Sequence, residues 1–212
     1  MRTFFTSDTH FHHANIIKYC NRPFRDTAEM NNTIITNWNA KVGGNDLIYH
    51  LGDFAFGRED WHLTMLLEKL KGKIIFLKGN HDRLAWRNRQ RFFACSDSYR
   101  EIEVNGQEIT LCHYALRVWN KSHHGAWHLY GHSHGTLPDD PHSRSFDCGV
   151  DSHNFTPLSF EEVKVIMDKK LWKPIDHHGE RQEGGGVGLS AEDYAKADRK
   201  RQYEQLKKEF EL

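Results

Sequence analysis

Five short clusters of Asp, Asn and His carry the chemistry of this sequence. They are Asp8-Thr9-His10, Gly52-Asp53, Gly79-Asn80-His81-Asp82, His113 and Gly131-His132-Ser133-His134. Carboxylate, imidazole and side-chain amide, with no thiolate, suit divalent ions such as Mn²⁺, Fe²⁺, Ni²⁺, Co²⁺ or Zn²⁺. Asp8, His10, Asp53, Asn80, His113, His132 and His134 are too many donors for one tetrahedral site. They suit two ions that share a bridging carboxylate. Two ions roughly 3.5–4 Å apart can bind phosphoryl oxygens and activate a water between them. A lone Asp or Asn after a strand is ordinary turn chemistry. Five such clusters in equivalent positions favour ligands instead.

The positions are equivalent because each cluster follows an apolar run of strand type: residues 2–7, 46–51, 73–77, 107–112 and 126–130. Strand ends of an α/β sheet converge on one crevice. A glycine ahead of the polar residue lets the backbone turn sharply beside a ligand. Residues 99–104 pair with 108–112 across Asn105-Gly106, a two-residue hairpin signal. Residues 145–150 form a further strand. Helical spacing marks 27–40 (Met30, Ile34, Ile35, Trp38), 58–70 (Trp61, Leu63, Leu66, Leu67, Leu70) and 159–171 (Phe160, Val163, Ile166, Met167). Ser159 and Glu162 are spaced as a capping box. Alternating strands and helices followed by a strand-rich half predict an α/β sandwich with mixed sheets.

Composition narrows the partners. Lys plus Arg equals Asp plus Glu at 29 each, so the net charge is zero with neutral histidine. That disfavours a broad phosphate-neutralising surface, and no basic stretch interleaved with aromatics is present. The 16 histidines in 212 residues exceed ordinary usage, although only their placement gives them meaning. Cys20, Cys95, Cys112 and Cys148 form no C-x-x-C pair. The N-terminus lacks the apolar stretch of a signal peptide, and no run reaches the roughly 18 apolar residues of a membrane span. A cytoplasmic protein without a membrane partner is expected. Residues 1–172 read as one catalytic domain. Residues 173–212 read as a polar linker with Gly184-Gly185-Gly186 and a charged helix over 190–212. That helix carries a narrow stripe of Tyr203, Leu206 and Phe210. A solvated tail is favoured, and a docking helix for a homo-oligomer is the alternative.

The pattern D-x-H, G-D, G-N-H-D, H and G-H-x-H resembles that of the calcineurin-like metallophosphoesterases. The stretch Ser7-Asp8-Thr9-His10-Phe11-His12-His13-Ala14-Asn15-Ile16-Ile17 is similar to small bacterial and phage-encoded members, in which the position of His12 is commonly Gly. The motifs span residues 8–134, and the resemblance extends to about Leu171. It implies a four-layer αββα sandwich of two mixed β-sheets flanked by helices. By the same resemblance, Asp8, His10 and His134 hold one metal, while Asn80, His113 and His132 hold the other. Asp53 bridges them, His81 acts as general acid and Asp82 orients His81. The reaction expected is hydrolysis by a hydroxide bridging two metals, with Mn²⁺ the first choice. Small nucleotide phosphodiesters, cyclic ones among them, are the preferred substrates. The alternatives are a phosphomonoesterase, a DNA or RNA nuclease, and a non-catalytic metal-binding scaffold.

Other residues carry weaker signals. His12 and His13 are among these, and His123-His124 either lines the pocket or sits in a solvated loop. His50 and His128 fall inside strands and read as core histidines, and Trp119 and Trp127 as packing residues. Arg22 and Arg117 are surface arginines, with a phosphate contact as the sharper alternative. His177-His178 belongs to the tail.

Overall fold

The computed structural model describes residues 1–175. The linker and charged helix expected over 173–212 lie outside the described residues beyond Ile175. The first half alternates strand and helix: β1 (Thr3–Thr6), α1 (Ala14–Tyr19), α2 (Thr27–Lys41), β2 (Leu47–His50), α3 (Asp60–Lys69), β3 (Lys73–Leu77) and α4 (Arg83–Arg87). Then come β4 (Ala94–Ser96), β5 (Tyr99–Val104), β6 (Gln107–Cys112), β7 (Trp127–Tyr130), β8 (Ser145–Asp147), β9 (Leu158–Ser159) and α5 (Phe160–Asp168).

The strands form two mixed sheets, in the orders β4-β3-β2-β1-β9 and β5-β6-β7-β8. The first is parallel except for β9, which runs antiparallel to β1. In the second, β6, β7 and β8 are parallel and β5 returns antiparallel. The β5–β6 turn uses Asn105 (φ 51°) and Gly106 (φ 78°), the left-handed pair that a two-residue hairpin requires. The sheets meet where Ser7 bridges Gly149 in parallel. The C-terminal ends of β1, β2, β3, β6 and β7 therefore share one edge. This is the expected α/β sandwich of two mixed sheets with flanking helices.

Period-two alternation divides the core. Phe4, Ile48, Ile74 and Phe76 face Met30, Ile34 and Trp38 of α2 and Leu63 and Leu66 of α3. Their neighbours Phe5, Tyr49, Ile75 and Leu77 face Ile109, Leu111, Trp127, Leu129 and Phe146 of the second sheet. Phe160, Val163 and Met167 of α5 join this second cluster. The capping box opens α5, with Glu162 N–H donating to Ser159 Oγ and Ser159 N–H donating to Glu162 Oε2.

Two expectations need correction. Trp61 is not on the inward stripe of α3 and is 56% exposed, packed on His62 with ring centroids 3.7 Å apart. Two residues on a helix are about 200° apart, so Trp61 faces away from Leu63. The strand expected over 145–150 stops at Asp147, and Val150–Ser152 coils into a 3₁₀ turn.

Candidate metal centre

The strand ends fold into tight, strained loops. Asp8, His10, Asp53, His132 and His134 all adopt left-handed backbone, with φ between 48° and 67°. For residues with a Cβ this costs on the order of 1–3 kcal/mol each, and it aims the side chains at a common point. Close approach does the rest. A Cβ at Gly79 would fall 2.3 Å from Asp53 Oδ1, and one at Gly131 would fall 2.4 Å from Asp8 Oδ2. Both glycines let one donor loop lie directly on another.

Each central carboxylate splits its two oxygens. Asp8 Oδ2 accepts from the His132 backbone N–H at 2.9 Å. Asp53 Oδ1 accepts from the His81 N–H at 2.9 Å. The other oxygens face imidazoles. Asp53 Oδ2 lies 3.5 Å from His10 Nε2 and 3.7 Å from His113 Nε2. Asp8, His10 and His134 offer donor atoms within 4.8 Å of one another, and so do Asp8, Asp53 and His113. Asn80 Oδ1 joins them, 2.8 Å from His113 Nε2 and 3.1 Å from His132 Nδ1. All seven expected donors are thus brought into one cluster.

The donor atoms fit metal ions on the structure's own terms. Asp8 Oδ1 and His10 Nε2 are buried without a hydrogen-bond partner, a costly state unless something else satisfies them. His113 Nδ1 lies 2.8 Å from the Leu51 carbonyl, to which it can only donate. In the neutral ring, Nε2 then presents a lone pair to the Asn80 oxygen, acceptor against acceptor. A cation resolves that contact. Burial, reinforced by the charges of His134 and Arg22, lowers His10 far below its ordinary value. Burial also lowers His113. Neutral imidazole is the form that binds metal. Burial raises Asp8 well above the usual carboxylate range, which marks a site that needs compensating positive charge.

Asp82 is buried beneath these loops. Its carboxylate accepts backbone N–H groups of Asp53 (2.6 Å), Gly79 (2.7 Å) and Phe54 (2.8 Å). Both oxygens accept from the main chain, so Asp82 ties the loop after β2 to the loop after β3. Burial pushes it up to about 7 against the pull of those N–H groups. The His81 ring stands at the exposed rim, its centroid 6.0 Å from that of His10 and 5.5 Å from that of Phe56. His13 stacks on Phe56 at 3.7 Å, which places His13 beside the centre.

The remaining histidines separate by position. His12 has φ 65°, a left-handed conformation that glycine adopts without strain. Asn31 holds it, with Oδ1 accepting the His12 N–H at 3.1 Å and Nδ2 lying 2.9 Å from its ring Nδ1. His123 and His124 precede β7, at the opposite end from the donor loop. His50 and His128 are buried, as are Trp119 and Trp127. Arg117 is exposed.

Arg22 is not at the surface. It is 4% exposed and donates through Nε to Asp151 Oδ1 (2.7 Å). Its two terminal nitrogens reach Asp151 Oδ2 (2.8 Å) and the carbonyls of Asp8 (2.7 Å) and Thr9 (3.0 Å). Asp151 Oδ2 also accepts from His134 Nδ1 at 2.7 Å. Burial raises Asp151, but the bonds from His134 and Arg22 outweigh it and hold the carboxyl below its ordinary range. Sequence reading missed Asp151. Its signal was a further strand followed by glycine and, two residues on, a carboxylate: Cys148-Gly149-Val150-Asp151.

The model of the calcineurin-like phosphoesterase family matches residues 1–198. The chain belongs to that family. This phosphoesterase is 36% identical over 174 residues to an uncharacterized protein of Methanocaldococcus jannaschii, covering 79% of this chain and 92% of the relative. Its fold is like that of a protein of unknown function from Aquifex aeolicus, with a TM-score of 0.62 and 24% identity. That alignment covers 78% of this chain and 98% of the other. As a family member it is a phosphate-ester hydrolase of a metal-dependent family, with residue groups placed to hold metal. No helix among the described residues is long and apolar enough to cross a membrane.

Proposed function

We propose that this phosphoesterase uses two divalent ions, Mn²⁺ foremost, to hydrolyse small nucleotide phosphodiesters, cyclic ones included. One observation carries the reading. A single oxygen, Asp53 Oδ2, sits between His10 and His113, at 3.5 and 3.7 Å, as a carboxylate shared by two ions would. Asp8, His10 and His134 would hold one ion, and Asn80, His113 and His132 the other. Two bound ions supply Lewis acidity toward the phosphoryl oxygens and an acidified water for attack on phosphorus.

The chain's own groups do the rest. Exposed Asn80 and His132 leave the second position open to substrate. His81, at the rim, donates a proton to the leaving oxygen. The His13–Phe56 stack beside it forms a wall of that rim. Asp82 fixes the spacing of the Asp53 and Asn80 loops through main-chain bonds. Unpaired cysteines, Cys112 and Cys148 buried among them, support a reducing compartment such as the cytoplasm.

The test is a substrate panel with Mn²⁺-reconstituted protein. Bis-p-nitrophenyl phosphate and cyclic nucleotides should turn over faster than p-nitrophenyl phosphate and oligonucleotides. Faster monoester cleavage makes the protein a phosphomonoesterase, and faster oligonucleotide cleavage makes it a nuclease. Either result overturns the diester reading.

A further inference from the structure

We propose that Arg22 and Asp151 are positioning residues that set one half of the metal centre, the Asp8/His10/His134 position, and leave the other half alone. The proposal rests on the two-ion reading above.

The Arg22 guanidinium grips Asp151 with a two-pronged fork, at 2.7 and 2.8 Å, the strongest ion-pair geometry available to a side chain. Its remaining N–H groups go to the carbonyls of Asp8 and Thr9 and to the Met30 sulfur at 3.4 Å. Asp151 in turn accepts the ring N–H of His134. One buried cation, in the turn between α1 and α2, therefore joins the loop after β1 to the 3₁₀ turn after β8, which lies 129 residues along the chain from Arg22. Its bonds end on two donors of one metal position. It reaches Asp8 through the main chain and His134 through the ring.

The chemistry follows from those bonds. A carboxylate behind Nδ1 fixes the proton on that nitrogen and leaves Nε2 to bind metal. Such partners of ligating histidines are worth about 10–100-fold in metal affinity. Arg22 holds the Asp151 carboxylate in register, which a lysine, lacking the fork, cannot do. Both Asp8 (φ 57°) and His134 (φ 48°) have left-handed backbone, so both need something to hold them there. The other half is anchored differently. His113 Nδ1 bonds the Leu51 carbonyl, and no bond from Arg22 or Asp151 reaches Asn80, His113 or His132 among the described residues. Cys20 also lies with His134 and Asp151 in a group that could hold metal. Arg22 already occupies both Asp151 oxygens, so that trio belongs to the positioning network.

The experiment titrates Mn²⁺ into metal-stripped full-length protein and counts bound ions by elemental analysis. It then records the visible spectrum of the Co²⁺-substituted form. Wild type should bind two ions. Asp151→Asn and Arg22→Lys should bind one at wild-type affinity and the other about 10–100-fold more weakly. Only one of the two Co²⁺ increments should change its spectrum. Where Asp151→Asn fails to fold, the apolar pair Arg22→Met with Asp151→Leu replaces the buried ion pair by groups of similar volume. It should show the same one-ion defect. Two ions at unchanged affinity with unchanged spectra would overturn the proposal. Equal weakening of both ions would overturn it too, since the pair would then be general scaffolding. Fewer than two ions in wild type would instead overturn the two-ion reading, and wild-type protein alone reports that.

Discussion

Asp8 and Asp53 each use one oxygen to hold a neighbouring donor loop and the other to face imidazoles. Scaffold and chemistry thus share single side chains, whereas His81 and Asp82 separate the two tasks. His81→Ala should lower kcat on esters with poor leaving groups, while elemental analysis finds metal content near wild type. Loss of metal would remove His81 from the acid role. Asp82→Asn keeps one acceptor oxygen but turns an amide N–H₂ toward at least one backbone N–H. A buried donor left unpaired costs about 1–3 kcal/mol, and urea denaturation should show a loss of that size. An unchanged midpoint would mean the Asp82 bonds contribute nothing. Neighbours in sequence differ here because α4 begins at Arg83. The turn into that helix swings Asp82 back under Asp53 while His81 stays at the rim.

Longer elements were legible in the sequence because their side-chain periods are long enough to register. β3, β5 and β6 fall where alternation and Asn105-Gly106 place them, and α2 ends one residue beyond its expected limit. Five strand ends, each with a polar cluster, marked the residues that the structure brings together. Short elements were not legible. α1 and α4 have six and five residues, less than two turns, and β9 has two. Asp151 was hidden because β8 stops early and its 3₁₀ turn has no apolar period. Arg22 was misplaced because burial of an arginine depends on a carboxylate 129 residues away. The capping box was legible, and its role is local. Ser159→Ala should destabilise the protein by about 0.5–2 kcal/mol in denaturant and leave kcat unchanged. A lower kcat would link α5 to the catalytic loops.

Across the whole molecule, buried histidines set the response to acid. Burial lowers His128 to about 4 and His50 to about 3. The Leu116 N–H donates to His128 Nε2 at 3.0 Å, a bond that exists only with the neutral ring. Unfolded histidine titrates near 6.5, so as pH falls below that value the unfolded chain takes up protons first. The contribution of these two histidines is full above about 6.5 and falls steadily toward pH 4, while Asp82, raised to about 7, works the other way by taking up its proton in the folded state first. The urea midpoint of metal-free protein, followed from pH 7.5 to 4.5, should drop through this window, and a flat profile would contradict it. The donors also divide by sheet. Asp8, His10, Asp53 and Asn80 come from the first sheet, and His113, His132 and His134 from the second. Each proposed ion draws on both, so each would act as a stitch across the seam. Occupancy at a hundred times Kd adds about 2.7 kcal/mol to the folded state. Chelator-treated protein should therefore be cut faster by a protease than the metal-loaded form, and equal rates would argue against the stitch. Metal supply would then govern how long each copy of the enzyme survives as well as how fast it works.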